Sequence, residues 1–332
     1  MRPPELRAGE LVALAAARRL SQLFGTARDV PAVLVDLHDE AIDARSVEQS
    51  EIGTMPCVLI GVGSLHVPSS DLVDVVVDEV ADAERLASTI AERPISSTAL
   101  ALLLRHGSSR TVAAGLVAES TTYSMLQGSA EFGAWRAART PRPVPADPEP
   151  PVVVMRRDGL TEIRLNRPHR HNAVSTALSE RLVEALTDML DGSDGEERVV
   201  LAGNGPSFCS GGDLDEFGSF LDPSLAHVAR LARSAGHAVH LLRDRVEARL
   251  HGACIGAGIE VPTFASRVVA DPGTSISLPE LALGLVPGAG GTVSLPRRIG
   301  RHRTAWLALT GASIDARTAL AWGLIDEISQ RD

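Results

Sequence analysis

Two carboxylates, Glu260 and Glu280, each stand at a glycine-rich turn within VEARLHGACIGAGIEVPTFASRVVADPGTSISLPELALGLVPGAGGTVSL, residues 246–295. GACIGAGIE ends on Glu260, and ELALGLVPGAGG begins with Glu280. Glycine at Gly252, Gly256 and Gly258 lets backbone close on a ligand or take a positive φ. A carboxylate leaving such a turn suits general acid–base work, because burial moves its pKa toward neutrality. The plainer alternative is a buried turn with two surface glutamates, Glu280 capping a helix that begins at Leu281. A third glycine-rich loop, GNGPSFCSGGDL (203–214), lies upstream, and its Asp213 reads equally as an N-cap or a ligand contact. His251 reads as a core histidine satisfied by backbone, and Cys209 and Cys254 as packing residues.

The elements that must position these loops alternate between strand and helix. VVVMRRDGLTEIRLNRP suggests two strands about a turn at Asp158-Gly159. TALSERLVEALTDML puts Leu178, Leu182, Ala185, Leu186 and Met189 on one helical face. RVVLAG (198–203) reads as a buried strand, and Val246, Ala248 and Leu250 as the strand entering the first turn, with Glu247 and Arg249 free to pair with each other or with a partner surface. The chain closes on a helix, a turn, a helix and a short strand. Upstream, TPRPVPADPEPP (140–151) is a Pro-rich, semi-rigid linker and the clearest boundary. Before it, residues 1 to about 30 suggest one amphipathic helix, while PAVLVDLH and MPCVLIGVG suit strands of a parallel sheet. DLVDVVVDEV reads as a further strand, followed by helical segments punctuated at Pro94 and Gly107. The class is α/β.

Composition narrows the partners. The chain has 332 residues, 44% hydrophobic and 22% charged, and a net charge of −10. That balance offers no basic stripe for a nucleic-acid backbone. Every cationic side chain other than histidine is arginine, so phosphate contacts would fall to Arg, His or backbone amides. Cys57, Cys209 and Cys254 are too few and too scattered for a disulfide framework or zinc site. No run reaches the roughly 18 apolar residues of a membrane helix, and no signal peptide is evident. A cytoplasmic protein with no metal or redox cofactor is expected.

With NRPHRHNA before the three loops and LTGASIDARTALAWGLID after them, the order and spacing over residues 151–329 resemble the crotonase (enoyl-CoA hydratase/isomerase) superfamily. The resemblance implies a spiral of ββα repeats that binds acyl-CoA thioesters, with CoA as part of the substrate. It implies an oxyanion hole from the amides of Gly212 and Ala257, and water held between Glu260, Glu280 and the backbone of Gly288. It places CoA contacts at His169, Arg170, Ser210, Asp213 and Leu214, although a solvated surface suits Arg170 and His171 as well. A homo-oligomer, trimer or hexamer, is usual in such a family. The expected reaction is hydration of a 2-enoyl-CoA, with Glu260 activating water and Glu280 protonating the α-carbon. Isomerisation, hydrolysis, or a non-catalytic partner subunit stay open.

The family's helical tail should follow GLIDEIS, where this chain stops. DLVDVVVDEVADAERLASTIAERP and the helical blocks through Arg139 resemble that tail, and DLVDVVV mirrors GLIDEIS. This suggests a degenerate internal duplication: residues 1–140 as a shrunken αβ remnant with its tail, 141–150 as linker and 151–332 as catalytic core. The tail would complete the core in cis or in a neighbouring subunit, bringing Trp135, Arg136, Arg139 and Arg142 near the CoA entrance. An unrelated helical domain is the alternative.

Overall fold

The computed structural model describes residues 3–17, 19–20, 30–38, 52–140, 147–191, 197–218 and 222–330. In the first half β1 (Glu5–Arg7), β2 (Ala32–Asp36), β3 (Val58–Val62) and β4 (Val75–Val77) form one parallel sheet in that order. Unbroken apolar runs suit it because both faces are covered. Val33, Val35 and Leu59 meet Leu11 of α1 (Ala8–Ala16), while Leu34, Ile60 and Val75 face the main core. The helix expected over the N-terminal residues is thereby corrected. Glu5, Leu6 and Arg7 pair with Leu34, Val35 and Asp36, which satisfies backbone groups that a helix start would leave open. Helix α1 spans Ala8–Ala16 and ends at Ala17, and residues 21–29 and Arg142 lie outside the described residues.

Four helices follow: α2 (Val80–Glu92), α3 (Pro94–Arg105), α4 (Val112–Gln127) and α5 (Ala130–Ala137). Pro94 opens α3 at a position where a missing N–H costs nothing. The last expected helical segment is split, because Gly128 caps α4 and Ser129 Oγ accepts the Phe132 N–H to begin α5.

In the second half β5 (Val152–Arg157) and β6 (Leu160–Leu165) form a hairpin on Gly159. Then come α6 (Thr176–Asp191), β7 (Arg198–Gly203), α7 (Pro223–Ala232), α8 (Ala235–Leu241), β8 (Val246–Leu250), β9 (Ala253–Ile255) and α9 (Ala257–Glu260). The chain ends through β10 (Arg267–Ala270), β11 (Ser275–Ser277), α10 (Gly291–Thr310, broken at Gly300), β12 (Ile314–Asp315), α11 (Ala316–Trp322) and β13 (Glu327–Ile328). The large sheet runs β13-β10-β8-β7-β6-β5, parallel except for the hairpin, and a small one runs β12-β11-β9. Strands β8 and β10 leave the large sheet and continue as β9 and β11 in the small one, a ββα spiral. Glu247 and Arg249 pair at 2.7 Å, and Arg267 joins them at 3.0 Å.

Helices α3 and α4 pack on α10, and α4 also packs on α7. The apolar core is therefore continuous between the halves, from Leu100, Leu104 and Leu126 to Val293 and Leu307. Leu100 and Leu126 are fully buried, each contributing roughly 1.5–3 kcal/mol of transfer energy. Residues 141–146 of the expected linker lie outside the described residues.

Candidate active site

Strand β9 ends at Ile255, and Gly256 turns the chain into α9 with φ of 52°. A Cβ at Gly256 would lie 2.3 Å from Glu280 Oε1 and 3.7 Å from Glu260 Oε1. Glycine is thus required both for its conformation and for its size, and the two carboxylates converge on it. Glu260, the last residue of α9, is 2% exposed. Its Oε2 accepts the N–H groups of Ala289 and Gly291, both at 2.8 Å.

Those amides begin α10, and the two that alternate with them go elsewhere. Gly290 N–H donates to Glu119 Oε1 at 2.7 Å, and Thr292 N–H to Glu119 Oε2 at 2.8 Å. Thr292 Oγ1 donates to the same Oε2 at 2.7 Å. Four successive N–H groups at one helix start are thereby shared between carboxylates from the two halves, where the helix dipole favours negative charge.

Glu280 opens a short 3-10 turn, Glu280–Leu283, rather than an α-helix. Its Oε2 is buried and has no hydrogen-bond partner among the described residues. Burial raises its pKa well above the ordinary range, and the charges of Glu260 and Glu119 raise it further. Burial also lifts Glu260 to about 7, against the pull of its two amides. Glu119 rises to about 8 through burial and then the charge of Glu260, its own donors opposing. Burial and like charge thus push all three carboxyls toward the protonated form, with the amides on Glu260 opposing the shift there.

A cavity of about 270 Å3 holds this pair, lined also by Gly212, Ala257, Gly288 and Tyr123. No acceptor among the described residues takes the N–H of Gly212 or of Ala257. A Cβ at Gly212 would lie 2.4 Å from the Phe217 ring. The arrangement offers two uncommitted amides, one carboxylate held by amides, and one carboxyl whose Oε2 has no partner among the described residues.

The other expected residues gather around these walls. Asp213 lines the cavity and accepts from Arg167 at 3.1 Å and Arg170 at 3.0 Å, and its Oδ1 also takes the Asp215 N–H at 3.2 Å, capping a turn rather than a helix. Arg170 also bonds Asp215 at 2.8 Å. Arg139 bonds Asp215 at 3.2 Å and stacks over Trp135 at 5.2 Å. His169 Nε2 lies 3.5 Å from Asp147, Ser210 Oγ lies 3.5 Å from the Arg170 carbonyl, and Leu214 is exposed. His251 Nε2 sits 3.0 Å from the Gly205 carbonyl, as a core histidine would. Trp135 packs against Phe217, which joins the end of the first half to the Gly212 loop. Sequence reasoning missed Glu119 and Tyr123. The available signal was a Glu and a Tyr four residues apart on α4, hence on one face of a helix otherwise rich in small and apolar residues.

The family description "Enoyl-CoA hydratase/isomerase" matches residues 155–332. The chain belongs to the enoyl-CoA hydratase/isomerase family, the crotonase superfamily. A mevalonyl-coenzyme A hydratase from Aspergillus fumigatus is 29% identical over 51% of this chain and 63% of its own length. An enoyl-CoA hydratase from Alternaria alternata is 34% identical over 51% and 57%, and a 4-chlorobenzoyl coenzyme A dehalogenase from Arthrobacter is 28% identical over 53% and 65%. The chain thus spans less than two thirds of the length of these relatives. Among solved structures, an enoyl-CoA hydratase from Thermoplasma volcanium superposes with a TM-score of 0.51 at 31% identity, covering 55% of this chain and 73% of that one. No helix among the described residues is long and apolar enough to cross a membrane.

Proposed function

We propose that the chain hydrates a 2-enoyl-CoA. The observation that carries this reading is the unequal treatment of two converging carboxyls, Glu260 held by two amides and Glu280 with a buried Oε2 that has no partner among the described residues. Glu260 as carboxylate takes a proton from water while the hydroxide oxygen bonds to the β-carbon. The double-bond electrons move to the thioester oxygen, where the N–H groups of Gly212 and Ala257 stabilise the enolate. In comparable sites one such donor is worth about 3–4 kcal/mol. The enolate collapses as Glu280 gives its proton to the α-carbon. Glu260 now carries the water proton and Glu280 is ionised, and a proton passing between them resets the site. The backbone of Gly288 helps to position the water, and Arg170, Arg139 and their aspartates form the wall past which CoA leaves. On this reading residues 71–140 stand in for the family's tail within the same chain, a role supported by the packing of α4 on α7 and α10 beside the site.

Steady-state hydration of crotonyl-CoA tests the reading, with Glu260→Gln and Glu280→Gln alongside. Both variants should lose most of the activity, and near-wild-type rates in both would overturn the assignment. An isomerase would need only one carboxyl to shuttle the proton, and the presence of two with different hydrogen-bond surroundings favours hydration.

A further inference from the structure

Arg230 of α7 lines the cavity that holds Glu260 and Glu280, and it also lines an adjoining cavity of about 160 Å3. Its Nη1 donates to Ser120 Oγ at 2.9 Å, the Ser120 carbonyl at 3.3 Å and Ser124 Oγ at 3.2 Å. Its Nη2 donates to Gln127 Oε1 at 3.1 Å, and the guanidinium lies 4.3 Å over the Tyr123 ring. All of these partners are neutral. Among the described residues no carboxylate comes within 4 Å of it to form an ion pair, although burial has stripped away enough water to lower its pKa. Arg233, three residues on, lines both cavities too, but its charge is met by Glu180 at 2.7 Å.

A guanidinium has five N–H groups, and the Nη1 and Nη2 bonds leave at least Nε–H uncommitted. The neutral partners fix its plane without cancelling its charge. A desolvated cation with no carboxylate in direct contact is costly, Glu119 acting on it only from beyond ion-pair distance, and the planar fork matches a carboxylate. The acyl group starts at the amides of Gly212 and Ala257 and must run into this space, since Asp213, Asp215, Arg139 and Arg170 close on one another at the other wall. We propose that the acyl group of the substrate ends in a carboxylate, and that Arg230 is the anchor that selects it. The proposal rests on the acyl-CoA reading above and adds the substrate class, a dicarboxylic acid carried as its mono-CoA thioester.

The test is calorimetric binding of saturated acyl-CoA pairs of equal length, hexanoyl against adipoyl and octanoyl against suberoyl, to the full chain. At one length or both, the ω-carboxylate thioester should bind at least about tenfold more tightly, since each 1.4 kcal/mol of added contact is tenfold. Arg230→Gln, which removes the charge and keeps a polar amide at the position, should bring the ratio to near unity. Arg230→Lys should keep part of it. Equal or weaker binding of both ω-carboxylate thioesters to the wild-type chain overturns the proposal without any variant, and a preference that survives in Arg230→Gln overturns the assignment to Arg230. Binding of neither member of either pair sinks the proposal and the acyl-CoA reading together. A preference in binding, with no hydration of the matching unsaturated thioesters, keeps the anchor and removes the hydratase reading.

Discussion

Asp74 and Arg105 lie beneath the first-half sheet about as deeply as Glu119, Glu260 and Glu280 lie in the site, and the two clusters follow opposite rules. Arg105 gives Nε and Nη2 to Asp74 at 2.7 and 2.6 Å, and its remaining N–H groups to the carbonyls of Ile52, Met55 and Cys57. Asp74 also accepts the Leu59 N–H at 2.8 Å. Burial alone would raise the Asp74 pKa, but the Arg105 charge and hydrogen bonds outweigh it and hold the carboxyl below its usual range. That cluster is neutral and saturated, so it fixes structure. In the site three carboxyls meet without a cation among their hydrogen-bond partners, and their pKa values move upward instead. Depth of burial is shared by both, and charge balance separates a structural brace from a cluster of carboxyls whose pKa values are raised.

The sharpest way to break this contrast is to take away the first half. A chain beginning at Asp147 should lose crotonyl-CoA hydration by more than about 1,000-fold, because Glu119 and the cover of α4 go with it. Next come Glu260→Gln and Glu280→Gln, each expected to lower kcat by about 10²–10⁴-fold. Asp74→Ala should cost about 3–5 kcal/mol in urea unfolding by stranding Arg105, whereas Asp74→Leu with Arg105→Met should recover most of that. The pH profile of kcat/KM refines the picture further. Activity should rise as Glu260 ionises near 7 and fall where Glu280 loses its proton. Glu119→Gln removes a negative neighbour, which lowers the Glu280 pKa, so the alkaline limb should move to lower pH. A limb that stays in place would uncouple Glu119 from the proton donor. The smallest effect belongs to Glu247→Gln, whose half-exposed pairs with Arg249 and Arg267 should be worth less than about 1 kcal/mol.

The turns that carry Glu260 and Glu280 could be read locally because glycines mark them, whereas Gly212 and Ala257 were pointed to only by the family resemblance; the structure brings all four to one cavity. Strands β2, β3, β7 and β8 were legible as apolar runs bounded by Pro, Gly or charge. Strand β1 was not, since three residues with no pattern of their own become a strand only by pairing with Leu34–Asp36. Nor was the Asp74–Arg105 brace, whose partners stand 31 positions apart. Glu119 and Arg230 carried no local mark either. Their meaning comes from α4 crossing α7 and α10, a packing that involves two halves of the chain and leaves no short-range signature.

The alternation of N–H groups from Ala289 to Thr292 between Glu260 and Glu119 acts as a latch across the molecule. Gly290 and Thr292 give their N–H groups to Glu119 of the first half, and Ala289 and Gly291 give theirs to Glu260 of the second. One helix start thereby fastens both a cavity-lining carboxyl and the helix that packs over it, so the seam between the halves and the wall of the cavity are the same piece of structure.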